Sequence, residues 1–280
     1  MRSPPPFRAA HRDIPIVEVD WPAPLAIGAV ATTRQGGVSR GTFASLNLAG
    51  HVGDDPGAIL TNRARLRERV GLPGEPVWLT QEHGVRSVDL DGSARPGPIA
   101  NAPAADIAVT RRPGVVCAVL SADCVPILLC DRKGTTVGAV HAGWRGLASG
   151  VVAAGIAATG APADRLLAWI GPCIGWRHYE VGAEVYERFA GILPPGGVFF
   201  RGPAHREGSD PHRRGHAELQ RSGERKWLMD LSTVTRHLLH RAGVREVFGG
   251  RLCTASDPSR FFSYRRDGVT GRIASLIWIE

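Results

Sequence analysis

Three short segments set a metal-ligating or nucleophilic side chain beside residues that break regular structure: Gln81-Glu82-His83-Gly84, Ala122-Asp123-Cys124-Val125-Pro126 and His141-Ala142-Gly143-Trp144-Arg145-Gly146. Each sits where an apolar run ends. Two imidazoles and a thiolate form a donor set suited to Zn²⁺, with a fourth position left for water or substrate. His83, Cys124 and His141 lie too far apart in the chain for a zinc-finger spacing, so only the fold can assemble them. The same side chains support a second chemistry, with Cys124 as nucleophile and His83 or His141 as the base that makes its thiolate. Asp123 neighbours Cys124 on an extended segment and so points to the opposite face. It is expected to hold the turn or to orient a histidine.

Candidate anion and base contacts lie nearby in the pattern. Arg145 and Gly146 stand between a strand and a helix start, where backbone N–H groups and a guanidinium hold phosphate. Arg34-Gln35-Gly36-Gly37-Val38-Ser39 reads equally as a substrate loop or a tight turn. Near the C-terminus, Phe261-Phe262-Ser263-Tyr264-Arg265-Arg266-Asp267-Gly268 puts aromatics and arginines together, a combination that stacks on a base and grips an anion. The alternation of Phe262 and Tyr264 also reads as a strand face packed on the core. Cys173 and Cys253 read as packing residues.

The elements that must position these groups follow from periodicity and turn chemistry. Leu25 to Thr33 is an apolar strand that runs into Gln35-Gly36-Gly37. Asp55-Pro56 opens an amphipathic helix carrying Ile59, Leu66 and Val70, and Gly71 closes it. Val77 to Leu79 and Val85 to Leu90 are short strands flanking His83, and Asp91 to Ala105 is a Gly/Pro/Ala-rich surface loop. Val115 to Leu120, Pro126 to Cys130 and Thr135 to Val140 form a central sheet around Cys124 and His141. Gly146 to Thr159 is helical and Leu166 to Ile170 a strand. Leu231 to Arg241 is a helix capped by Asp230, and Val244 to Phe248 and Ile273 to Ile279 are strands. Pro194 to Arg225 is rich in Gly, Arg and His and is expected to be a mobile excursion, its His205, His212 and His216 inert. With no internal repeat, this order of strands and helices implies an α/β or α+β class.

Composition narrows the function classes. A length of 280 residues against roughly 150 per domain is compatible with one large α/β domain. Hydrophobic residues at 43% and charged residues at 21% support a substantial core and exclude collagen-like, coiled-coil and low-complexity chains. The longest apolar stretch, Val115 to Cys130, is interrupted by Asp123 and Pro126 and does not span a bilayer. Met1 to Asp13 has no secretory apolar core, so a cytoplasmic location without membrane association is expected. Five cysteines, an odd and sparse count, favour reduced thiols over a disulfide scaffold. The net charge of +8 favours anionic ligands. It also leaves open a nucleic-acid module built on Arg63 to Arg69 and Arg201 to Arg225, although no recognition motif accompanies those arginines. No specific nucleic-acid partner is therefore expected.

The chain resembles the YfiH-type polyphenol oxidase or purine nucleoside phosphorylase family, also called laccase domain proteins. The segments that carry the resemblance are Thr32-Thr33-Arg34-Gln35-Gly36-Gly37-Val38-Ser39, Ser45-Leu46-Asn47-Leu48, Asn62-Arg63, Tyr179-Glu180-Val181-Gly182, Phe261 to Gly268 and the three opening motifs. It covers roughly Ile27 to Ile279 and sets residues 1–24 apart as a Pro-rich extension before a domain over 25–280. The resemblance implies a single α/β domain with two mixed β-sheets sandwiched between helices (α-β-β-α), and a zinc held by His83, Cys124 and His141. It implies that Arg145 joins these three in catalysis, and that Arg34, Asn47, Arg145, Tyr264 and Arg265 contact substrate. The implied activity is phosphorolysis of purine nucleosides, with adenosine deamination and methylthioadenosine phosphorolysis in the same pocket. A monomer is expected, although no feature of the sequence sets the oligomeric state. A cysteine hydrolase acting on an amide, such as one in a cell-wall precursor, is the alternative. Glu82, where the family usually has a small apolar residue, and the basic 194–225 segment depart from the pattern. Ten histidines contain no His-x-His pair, so multicopper laccase chemistry is not expected, although copper can displace zinc from such ligands in vitro.

Overall fold

Strands that are apolar along their whole length must be covered on both faces, and this chain covers them by stacking two sheets and packing helices outside. The computed structural model describes residues 14–92, 102–195, 198–202 and 225–280. Its first half contains β1 (Ile16–Glu18), β2 (Ile27–Thr32), α1 (Pro56–Val70), β3 (Ser87–Asp89), β4 (Ile107–Thr110), β5 (Val116–Ser121), β6 (Val125–Asp131) and β7 (Val137–Ala142). There follow α2 (Trp144–Ala148), α3 (Val151–Thr159), β8 (Leu166–Ile170), β9 (Glu180–Val181), α4 (Ala183–Ala190), β10 (Phe200–Arg201) and β11 (Trp227–Met229). The chain closes with α5 (Leu231–Arg241), β12 (Glu246–Gly249), α6 (Tyr264–Asp267) and β13 (Ile273–Ile279).

One sheet is antiparallel with order β1-β2-β13-β5, and the larger is mixed with order β12-β8-β6-β7-β4-β3. A small sheet, β10-β11-β9, lies apart from both. Between the two main sheets, Ala31, Cys117, Val119, Ile273 and Ile277 meet Ala108, Leu128, Cys130, Ala139 and Trp169. The outer face of the larger sheet buries Ile127, Leu129, Val140 and Ala168 against Val151 and Ile156 of α3, Phe189 of α4, and Val234 and Leu239 of α5. The outer face of the smaller buries Val30, Ala118, Leu276 and Trp278 against Leu66 and Val70 of α1. The result is a mixed α/β sandwich in the order helix, sheet, sheet, helix.

Local chemistry explains the helix ends. Asp55 accepts from the N–H groups of Gly57 and Ala58, Pro56 begins α1, and Gly71 ends it at φ 70°. Asp230 caps α5 through the Thr233 N–H. Elsewhere the structure corrects the expected elements. Gly146 to Thr159 is two helices, because Gly150 takes φ 92° and ends the first after one turn. Phe261 to Gly268 is no strand: Phe261 and Phe262 are buried, and Ser263 caps the helical turn α6, which starts at Tyr264. Val77 to Leu79 makes no strand but forms an isolated bridge to Cys117 beside another from Thr80 to Ala104. β1 pairs with β2, Ile16 opposite Thr32, so the sheet begins ahead of residue 25. The helix α4 has no side-chain cap to announce it, only the i, i+4 pair Val185 and Phe189. His205, His212 and His216 lie outside the described residues. No helix among the described residues is long and apolar enough to cross a membrane.

Candidate active site

The chain leaves the smaller sheet at the end of β5 and enters the larger at β6, and the turn between them carries Asp123 and Cys124. Asp123 takes φ 100°, a left-handed conformation that costs a non-glycine residue on the order of 1 kcal/mol. Its carboxylate holds that turn by accepting from Thr254 Oγ1 and the Arg265 N–H, both at 2.6 Å. Asp123 is thus the turn-holding residue of the two roles expected for it. His141 is on β7, and His83 lies in the loop ahead of β3, also left-handed at φ 60°.

One residue with no part in the expected site ties the histidines together. Asp106, fully buried, precedes β4 and sits across the ladder from His141. Its Oδ1 accepts from His141 Nδ1 at 2.8 Å and the His83 N–H at 3.0 Å, and its Oδ2 from the N–H groups of Gly84 at 2.7 Å and Glu82 at 3.2 Å. Burial opposes ionisation, but these donors hold the carboxyl below its ordinary range. The only signal in the sequence is a lone charge at the head of the apolar run Ile107 to Thr110. Gln81 fixes the other end of the His83 loop by exchanging both its amide hydrogen bonds with the Leu120 backbone.

The ligand atoms of His83, Cys124 and His141 all lie within 4.8 Å of one another, the one such cluster among the described residues. Cys124 Sγ and His83 Nε2 are 3.7 Å apart. A tetrahedral zinc with bonds of about 2.3 Å to sulfur and 2.0 Å to nitrogen places those atoms about 3.5 Å apart, so the residues fit a metal. Asp106 binds His141 through Nδ1 and leaves Nε2 as the ligand atom, the usual arrangement behind a metal-bound histidine. Gly143 completes the fit: a Cβ there would stand 2.8 Å from His83 Cδ2 and 3.1 Å from Cys124 Sγ. In the protein alone, burial would raise the Cys124 pKa, but the charge and hydrogen bond of His141 and the hydrogen bond of His83 bring it down to about 6. Burial likewise opposes a charged His141, and the Cys124 thiolate and Asp106 push it up to about 9.

The cluster opens into a cavity of about 370 Å³ lined also by His51, Trp144, Arg145, Tyr179, Tyr264, Arg265 and Arg272. That is the size of a small-molecule site. Arg145 is exposed and stacks on Trp144 at 4.4 Å, and Arg265 stacks on Tyr179 at 4.8 Å with its Nη1 on the Glu180 carbonyl. Tyr264 stands exposed at the edge. Arg34 and Asn47 are not in the lining. Arg34 binds the Ala44 and Pro258 carbonyls and covers the Phe262 ring at 4.6 Å. Asn47 is fully buried and spends its amide on Ala49, Asp54 and the Arg272 N–H. Cys173 is buried, and Cys253 is bridged to it through the backbone. His51 and Arg272 were not signalled by any motif, since each depends on the long-range closure of the fold.

Fold and site together define a two-sheet α/β protein with a His-Cys-His cluster able to hold a metal at the base of a small-molecule cavity. The chain belongs to the multi-copper polyphenol oxidoreductase laccase family, whose profile matches residues 28–280. It is 44% identical to a purine nucleoside phosphorylase of Pseudomonas aeruginosa, over 93% of this chain and 97% of the relative. It is 40% identical to the purine nucleoside phosphorylase YfiH of Escherichia coli K12, over 94% and 98%. Among solved structures, a Neisseria meningitidis protein of the DUF152 family superposes with a TM-score of 0.81 at 42% identity, over 96% of this chain and all of that one. YlmD from Geobacillus stearothermophilus superposes at 0.82 with 30% identity, over 98% of both chains.

Proposed function

We propose that the protein is a zinc-dependent purine nucleoside phosphorylase that also deaminates adenosine and cleaves methylthioadenosine. The observation that carries this reading is the His83-Cys124-His141 cluster at the base of a cavity walled by aromatics and arginines, in a chain whose relatives are named for that activity. Trp144, Tyr179 and Tyr264 offer ring faces to a purine, and Arg145 and Arg265 supply positive charge to an anionic co-substrate. Arg34 and Asn47 act on the site through the loops they tie. His83, Cys124 and His141 would hold the zinc. When bound, it supplies the electrophilic charge that activates water for deamination.

In phosphorolysis a phosphate oxygen forms a bond to the ribose C1′ as the bond to the purine breaks, giving ribose 1-phosphate and the free base. The cavity contributes by holding phosphate and nucleoside in line, which lowers the entropic part of the barrier. Asp106 keeps His141 Nδ1 protonated and His83 fixed. The proposed setting is the cytoplasm, and the proposed state a monomer.

Purified protein of known metal content, incubated with inosine, adenosine and methylthioadenosine with and without phosphate, tests the reading by chromatography. Phosphate-dependent release of hypoxanthine or adenine, lost together with the metal in His83→Ala, is the expected result. No turnover of any nucleoside by fully zinc-loaded protein overturns it. One observation favours a second reading: Cys124, His141 and Asp106 also stand in the order of a nucleophile, a base and its orienting carboxylate. That cysteine hydrolase predicts activity on amides that survives chelators and is abolished by thiol reagents.

A further inference from the structure

Arg272 stands immediately before β13, and its backbone N–H is fixed by the buried Asn47 Oδ1 at 2.9 Å. Its Nη1 donates to the Thr270 and Gly271 carbonyls at 2.8 and 3.1 Å. Nη2 and Nε have no hydrogen-bond partner, and no carboxylate is within ion-pair distance, among the described residues. The guanidinium is nevertheless half-buried in the cavity wall. A cation taken partly out of water without a counter-charge is costly, and the cost falls when an anion is bound beside it.

Among the described residues no carboxylate neutralises this charge, and the Tyr264 ring lies 5.9 Å from it. The negative groups whose charge acts on it are Cys124 and Asp123. Cys124 is committed to the three-ligand cluster, and both carboxylate oxygens of Asp123 are occupied by Thr254 and Arg265. His51 also lines the cavity, and partial desolvation and then the positive charge of Arg272 favour its neutral form. The other cavity arginines differ. Arg145 is exposed and solvated on a helix of a single turn, and Arg265 is exposed as well.

We propose that the Arg272 end of the cavity, with His51 beside it, is the seat of a tetrahedral oxyanion, which in the phosphorylase reading on which this rests is inorganic phosphate. The two free nitrogens of the guanidinium present a planar fork to two phosphate oxygens. A neutral imidazole adds a donor without adding charge. Asn47, fully buried, fixes the Arg272 backbone from which the fork extends, which gives that buried amide a role without contact to the anion.

Calorimetric titration of the metal-loaded protein with inorganic phosphate tests this, beside a separate titration with inosine. Arg272→Gln is expected to weaken phosphate about 10- to 100-fold, and Arg272→Lys less, because lysine keeps the charge and loses the fork. Arg145→Gln, which also removes positive charge from the cavity but at an exposed, solvated position, is expected to weaken phosphate less than Arg272→Gln does. Inosine affinity stays within about 2-fold in all three. Wild-type phosphate affinity in Arg272→Gln, or a larger loss in Arg145→Gln, overturns the proposal. So does Arg272-dependent binding of adenosine 5′-monophosphate more than about 10-fold tighter than phosphate, since the seat would then be for an ester. Because Arg272 also holds two carbonyls, melting curves accompany each variant. If Arg272→Gln does not fold, His51→Gln decides, with a phosphate loss of about 3-fold or more supporting the seat and none refuting it. Phosphate bound through Arg272 without nucleoside turnover sinks the phosphorylase reading and leaves the seat. Phosphate-dependent turnover with an unchanged KM for phosphate in Arg272→Gln does the reverse.

Discussion

Asp106 shows how one carboxylate can govern a site it does not enter. It receives three backbone N–H groups from the His83 loop and the Nδ1 proton of His141, so it sets both the path of one ligand and the tautomer of another. An amide at that place can turn its NH₂ toward His141, which moves the imidazole proton to Nε2 and removes the ligand lone pair. Asp106→Asn is therefore expected to weaken zinc about 10- to 100-fold in a chelator competition, the NH₂ also losing the hydrogen bond from the His83 N–H, which shares Oδ1 with His141. Equal affinity in variant and wild type would show that the carboxylate only braces the loop. The Cys124 thiol makes a pH prediction whose sign follows from its shift. Its pKa is about 6 against an ordinary 9.0, so the thiolate persists as pH falls and is lost only near 6. Alkylation of the metal-free protein at Cys124 should stay fast down to about pH 6, read by peptide mass spectrometry. The buried Cys117, Cys130 and Cys173, all raised by burial, should not react there. A Cys124 rate that falls away below pH 8 would contradict the His141 contact that lowers it.

At the scale of elements, what is legible in the sequence is what local chemistry decides. Asp55-Pro56 with Gly71, and Asp230 before Leu231, mark the ends of α1 and α5, and the unbroken apolar run Ile273 to Ile279 marks β13. His83, Cys124 and His141 are legible as candidates because each stands where an apolar run of the sequence ends, and the family resemblance is what joins them as one set. Less legible is whatever depends on pairing between distant segments. That β5 and β6 belong to different sheets, that Asp106 faces His141, and that Arg272 reaches the cavity are consequences of register. Phe262 and Tyr264 mislead because a two-residue alternation fits a strand, whereas Ser263 between them caps a helical turn that begins at Tyr264. The junction of β7 and α2 makes its own prediction. Gly143 has φ −71°, where alanine is unstrained, but its Cβ would press on His83 and Cys124. Gly143→Ala should lose most of its bound metal while melting within a few degrees of the metal-free wild type. Full metal occupancy in that variant would mean that the ligands have room the structure does not give them.

For the whole molecule, the cluster lies where the two sheets are joined. Cys124 is on the crossing from β5 to β6, and His141 is on β7 of the larger sheet. The His83 loop is held to the smaller sheet through Gln81 and Leu120 and to the larger through Asp106. A metal shared by these three ties both sheets together, and because the unfolded chain has no such site, its binding energy appears as folding stability. With free zinc at about 100 times its Kd that stabilisation is about 2.7 kcal/mol. In a protein of this size each kcal/mol moves Tm by about 2–4 °C, so a strong chelator should lower the melting temperature by about 5–10 °C. Cys124→Ala supplies the control, since it lacks the thiolate and should melt at the same temperature with or without the chelator. If the wild type is equally indifferent to the chelator after its metal has been shown to leave, the cluster contributes nothing to holding the sheets together. The Ser121–Val125 crossing would then be stabilised by Asp123, through Thr254 and Arg265, without help from a metal.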